Sequence, residues 1–117
     1  MNPQSMIDLP TFEALKDAMG DDFMDELLQA YYEETPQLLK ALQQALSKAD
    51  CEGFQRAAHS IKSTSNSFGA LQFGEMAREL EMMGKAAHLE DAQAKLEVLT
   101  ACYENVCQAL EGVHHGA

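Results

Sequence analysis

Nowhere does this sequence run apolar for the roughly 18 residues that a membrane-spanning helix needs, and its amino end, Met1 to Met6, lacks a basic segment followed by an apolar one. No span or export signal is implied, and the chain is expected to stay in the cytoplasm. Cysteine is scarce: Cys51, Cys102 and Cys107 are odd in number and have no Cys-x-x-Cys spacing. That argues against a disulfide scaffold or a zinc site and suits free thiols in a reducing compartment. Bases are few, 8 Lys and Arg against 19 Asp and Glu, for a net charge of −11. Such a field repels nucleic acid and anionic lipid headgroups, so neither is an expected partner. Also missing are a GxxxxGK(S/T) loop, a GxGxxG turn after a strand and the catalytic set of protein kinases. The chain has no recognised device for holding ATP. Its acids form no evident Mg²⁺ site, so metal and electrophile must come from another protein, and alone the chain should be inert.

What is present is helical periodicity. The composition is 46% hydrophobic with no Trp, only three Pro and seven Gly, and the apolar residues recur at helical rather than alternating spacing almost throughout. At 117 residues the chain is expected to be one all-α domain able to bury a core without metal or disulfides. A loose arm is expected over residues 1–7. Asp8 then caps a short helix with Pro10 in its first turn, ending at Gly20. Asp21 or Asp22 caps a long second helix with Phe23, Leu27, Tyr31, Leu38, Leu42 and Leu46 inward, kinked near Tyr32 by Pro36. Asp50 caps a third helix, Cys51 to Phe68, which Gly69 ends in the left-handed conformation. The fourth, about Ala70 to Met83, turns Leu71, Ala77, Leu80 and Met83 inward and stops at Gly84. The fifth follows Ala92, Leu96, Leu99, Tyr103, Val106 and Leu110, and 112–117 is expected to be a flexible tail. Short loops between four substantial helices predict an antiparallel up-down-up-down four-helix bundle over 8–111, the short additional N-terminal helix covering one end.

Within this frame one segment differs in charge. From Gly53 through Gly74 there is no Asp or Glu, while Arg56 and Lys62 are both present. On the third helix Phe54, Ala57, Ala58, Ile61, Ser65 and Phe68 gather on one side, and His59 falls roughly 150° away, toward solvent. Lys62 and Ser63 lie at the spacings where helical side chains meet His59, and Gln55 and Asn66 frame the same face. A locally positive surface around one imidazole is expected. A neutral imidazole is a competent nucleophile for phosphorus, and phosphoryl transfer depends on positioning and charge stabilisation, which a neighbouring cation supplies. Other residues have plainer readings: Thr64 and Ser65 as a small-residue seam, His88 as a loop residue, the methionines as core filler. For His114-His115 no carboxylate or Cys is spaced to complete a metal site.

His59-Ser60-Ile61-Lys62, small residues, and then Phe68-Gly69-Ala70 resemble the core pattern of the histidine-containing phosphotransfer family of two-component phosphorelays, His-x-x-Lys with an apolar-Gly-Ala end. Tyr32-Glu33-Glu34-Thr35-Pro36-Gln37-Leu38-Leu39 resembles the kinked helix that precedes this motif in family members. The resemblance implies that His59 accepts a phosphoryl group from the aspartate of a receiver domain and passes it to another, that Lys62 balances charge, and that Gly69 allows a tight turn. It implies receiver domains of hybrid sensor kinases and response regulators as partners, meeting a docking face with Gln55, Arg56 and Asn66. Mg²⁺ is then expected on the partner receiver, with no cofactor on this chain and a monomeric state. Glu81 falls where some relatives place Gln or Glu near the imidazole, orienting the ring's other nitrogen. Many members have Gly directly after the lysine; Ser63 stands there here and narrows access to the ring. The rival readings are a metal-binding bundle and a helical adaptor that docks a receiver or kinase without carrying phosphate. His59 and Lys62 together argue against the adaptor, since docking needs neither.

Overall fold

The computed structural model describes residues 6–115. Asp8 starts the first helix as its position in the sequence predicts, its carboxylate accepting from the backbone N–H and the hydroxyl of Thr11. Five helices follow in order: α1 Leu9–Met19, α2 Asp21–Ser47, α3 Cys51–Ser67, α4 Leu71–Lys85 and α5 Ala92–His114. Among the described residues there is no strand, and no helix is long and apolar enough to cross a membrane. Contacts run from α2 to α3, α3 to α4, α4 to α5 and α5 back to α2, while α1 touches α2 and α3. Phe12, Met24, Leu42, Phe54, Ile61, Leu80, Leu99, Val106 and Leu110 fill the interior that this ring of contacts encloses.

On α2 the inward stripe is Met24, Leu28, Tyr31, Thr35, Leu39, Leu42 and Ala45, not the Phe23, Leu27, Tyr31, Leu38, Leu42, Leu46 set that the sequence predicts. Phe23 is 46% exposed, and Leu27, Leu38 and Leu46 are only half-buried. Helical geometry explains the difference. At about 100° per residue, eight steps from Phe23 to Tyr31 end about 80° off the face, whereas seven steps from Met24 end about 20° off it. Pro36 sits inside α2 without dividing it. The N-cap of α2 is Gly20, with Asp21 and Asp22 in the first turn, where carboxylates favour the positive end of the helix dipole.

Gly69 ends α3 as its place in the sequence predicts. Its φ is 88°, its N–H donates to the Asn66 carbonyl, and the Ala70 N–H reaches the Ser65 carbonyl at 2.9 Å, a complete Schellman closure. Gly84, by contrast, does not stop α4. It lies inside the helix and is buried, and a Cβ there would fall 2.9 Å from the Gln55 backbone nitrogen and 3.0 Å from the Cys51 carbonyl. The glycine lets α3 and α4 approach at backbone distance. Leu71, expected inward, is 45% exposed, and Phe73 takes the core position on that turn.

The actual end of α4 is a Schellman closure with Ala87 at φ 59°, its N–H reaching the Gly84 carbonyl and the His88 N–H the Met83 carbonyl. An alanine in that conformation costs about 1–2 kcal/mol through its Cβ. Ala87→Gly removes that cost while adding some freedom to the unfolded chain, so a net gain of about 0.5–1 kcal/mol in chemical denaturation is expected. A decrease in stability would contradict the backbone assigned to this turn.

Among the described residues, packing reaches closer to both termini than the sequence implies. Ile7, assigned to a loose arm over 1–7, is 3% exposed in the core, and the Asp8 N–H donates to the Gly69 carbonyl at 2.7 Å; residues 1–5 lie outside the described part. Of the tail placed at 112–117, residues 112–114 are helical and 116–117 lie outside the described residues. The His114 side chain is only 7% exposed, and its Nε2 lies 2.5 Å from Asp25 Oδ1. Its carbonyl accepts from Lys16.

Candidate functional site

The face of α3 is fixed from beneath. Phe54, Ala57, Ala58, Ile61 and Ser65 are buried. The Ser65 hydroxyl lies 2.7 Å from the Tyr31 hydroxyl of α2, and the Tyr31 ring packs at 5.1 Å from that of Phe68. Ser65 thus joins the seam the sequence implies, as a buried polar pair, which is costly to leave unmade. Half-buried Thr64 turns its hydroxyl back to the Ser60 and Ile61 carbonyls.

With that side anchored, His59 projects outward, its side chain 57% exposed. Nδ1 lies 2.7 Å from Glu81 Oε2 of α4. Lys62, one turn on from His59, places Nζ 2.8 Å from the other oxygen of the same carboxylate. Glu81 is therefore a clamp held between two side chains of α3, itself only 14% exposed. Burial pushes its carboxyl up, but the hydrogen bonds and charges of Lys62 and His59 outweigh burial and hold it below the usual carboxylate range. An ionised carboxylate can only accept, so the neutral ring carries its proton on Nδ1 and presents the Nε2 lone pair to solvent.

The locally positive surface expected around His59 is thereby corrected. The acid-free stretch is acid-free only along the chain, and folding brings Glu81 from α4 against both His59 and Lys62. On the α2 side, Glu34, Gln37 and Leu38 line an open groove of ≈ 570 Å³ together with His59, Ser60, Ser63 and Thr64. Ser63 is exposed at the edge of that groove, next to the ring. Gln55 and Asn66 are half-buried toward α4, where a Cβ on Gly74 would collide with the Asn66 side chain. Arg56 is exposed and paired with Glu52 at 3.4 Å. Gly69 lies past the C-terminal end of α3, against the start of α1, where a Cβ would come 2.7 Å from the Asp8 carbonyl.

Glu34 and Gln37 were not singled out by sequence reasoning. The available signal was their helical phase: they stand one turn apart on α2, flanking the buried Thr35. Among the described residues no group of three or more His, Cys, Asp or Glu is placed to hold a metal ion, and the three cysteines are free thiols.

A family model described as the Hpt domain matches residues 26–109, most of the chain and all of α3 and α4. Among solved structures, histidine-containing phosphotransfer protein B (HptB) from Pseudomonas aeruginosa superposes with a TM-score of 0.85 at 23% identity, covering 95% of this chain and 96% of that one. No curated protein sequence matches the chain.

Proposed function

The chain belongs to the Hpt domain family, whose members are phosphotransfer proteins of two-component signalling, and on that premise we propose that His59 is the phosphorylated residue. In this reading Nε2 of His59 accepts a phosphoryl group from the aspartate of one receiver domain and passes it to the aspartate of another. The observation that carries it is the engaged Nδ1 beside an exposed ring, 2.7 Å from Glu81, which leaves a single nitrogen available for attack. Glu81 orients the ring, Lys62 stabilises charge on the phosphoryl oxygens, and the surface around His59 with Gln55, Arg56, Asn66 and Ser63 meets the receiver. The receiver brings the Mg²⁺ with its aspartate. The reading further holds α2 to α5 as an antiparallel up-down-up-down four-helix bundle, monomeric and cytoplasmic, serving receivers of hybrid sensor kinases and response regulators.

The test is labelling. A phosphorylated receiver should transfer an acid-labile, base-stable phosphate to this protein, while ATP with Mg²⁺ and no receiver should transfer none. Lys62→Ala should slow the transfer by about 1–3 kcal/mol of lost charge stabilisation, roughly 5- to 150-fold. Labelling from ATP alone would sink the relay, and an unchanged rate in the variant would reduce Lys62 to a partner of Glu81.

A further inference from the structure

We propose that the Ser63 hydroxyl is a second donor to the transferring phosphoryl group, bonding one of its oxygens on the side of the imidazole that Lys62 does not cover. The inference rests on the phosphotransfer reading above and adds a catalytic residue to it.

The placement follows from helical phase. At about 100° per residue Lys62 stands about 60° to one side of His59 around α3, and Ser63 about 40° to the other. The first side faces α4, where the Lys62 amine and Nδ1 of His59 meet the Glu81 carboxylate at 2.8 Å and 2.7 Å. The second faces α2, where Ser63 and the imidazole line one open groove with Glu34, Gln37 and Leu38. The two nitrogens of an imidazole point in nearly opposite directions, so holding Nδ1 against α4 directs Nε2 outward and away from that helix. A phosphoryl group on Nε2 therefore comes out on the Ser63 side of the ring, at the one-turn spacing where helical side chains meet.

That hydroxyl is also unspent. A helical Ser or Thr often turns its oxygen back to a carbonyl of the preceding turn, and on α3 Thr64 does so to Ser60, and Ser67 to Ser63. Ser65 is paired with Tyr31. The exposed Ser63 Oγ makes no such bond among the described residues. Its groove neighbours do not replace it, since the Thr64 hydroxyl is committed to the backbone and the Glu34 carboxylate offers a phosphoryl oxygen no donor. In the transfer the Nε2 lone pair forms the N–P bond while the P–O bond to the receiver aspartate breaks, its electron pair staying on the aspartate oxygen. Ser63 keeps its proton throughout. Its O–H dipole meets phosphoryl charge from the α2 side as the Lys62 amine does from the α4 side.

Ser63→Ala removes the donor at an exposed helical position, where alanine is well tolerated. Uptake of phosphate is followed in single turnovers over a range of concentrations of one phosphorylated receiver. The rate at saturation should fall roughly tenfold, near the lower end of what a hydrogen bond to a charged group contributes, while the half-saturating concentration stays that of wild type. Ser67→Ala, which loses a hydroxyl already turned to the backbone, should transfer at the wild-type rate. The ³¹P resonance of phospho-His59 should move in Ser63→Ala and hold its place in Ser67→Ala. A Ser63→Ala protein that saturates at the wild-type rate, one whose whole loss lies in the half-saturating receiver concentration, or an unmoved resonance overturns the inference. A wild-type protein that takes up no label from a receiver overturns the phosphotransfer reading itself, and this inference with it.

Discussion

His59→Gln should abolish receiver-dependent labelling entirely while leaving helicity and melting temperature nearly unchanged. The amide of Gln cannot form the base-stable N–P bond, and no other histidine stands in for it. His88 lies exposed in the loop after α4, and at the end of α5, away from the Glu81–Lys62 pair, His114 is 7% exposed against Asp25 and His115 is paired with Glu111. The small structural cost follows from exposure. The His59 side chain is 57% open to solvent, and exposed substitutions typically shift stability by no more than about 0.5 kcal/mol. Its link to Glu81 adds little to this, because the Gln amide can donate to the same carboxylate and Lys62 still pairs with it. The Lys62–Glu81 contact remains, so α3 and α4 stay joined. Labelling and thermal melting on one preparation decide the matter: residual base-stable label places the phosphate elsewhere, and a loss of several degrees means that the His59 ring supports the core.

The parts of this arrangement that were legible in the sequence are those set by residues near one another along the chain. Asp50 capping α3, Gly69 closing it, and His59 opposite the Phe54–Ile61 face all follow from local conformation and helical phase, and the structure has each of them. The misplacements arise where a second element decides. Phe23 competes with Met24 for the α2 stripe, and both are apolar; only the phase relative to Tyr31, fixed by packing on α3 and α5, selects Met24. Gly84 reads as a helix end until the α3 backbone is laid 2.9 Å from where its Cβ would be. Charge fails in the same way. A window without acids says nothing about acids that another helix delivers, and Glu81 and Glu34 arrive from α4 and α2. Glu81 entered the sequence reading only through the family resemblance, since its separation of 22 positions from His59 carries no local signal.

Ser63→Phe should leave the fold intact and lower phosphotransfer by about 100-fold. Ser63 stands one turn beyond His59 on the exposed side of α3, and its hydroxyl is not among the groups that hold the helix in place. A phenyl ring there cannot overpack the interior, because Ile61 and Ser65, the buried residues on either side, point the other way. The ring instead has the open groove available to it, with half-buried Leu38 offering apolar contact. Settled there, it occupies the space beside the imidazole through which a receiver's aspartyl phosphate must come in line with Nε2. A misplacement of about 1 Å in a near-attack geometry costs roughly 100-fold, and a displaced receiver is misplaced by more than that. Receiver affinity should fall together with rate, whereas Lys62→Ala, which removes charge but adds no bulk, should lower rate more than affinity. Circular dichroism, melting, receiver titration and transfer on Ser63→Phe give the decision. A stable variant with undiminished transfer would remove this groove from the path of the receiver, and an unfolded one would mean that α3 is turned differently about its axis.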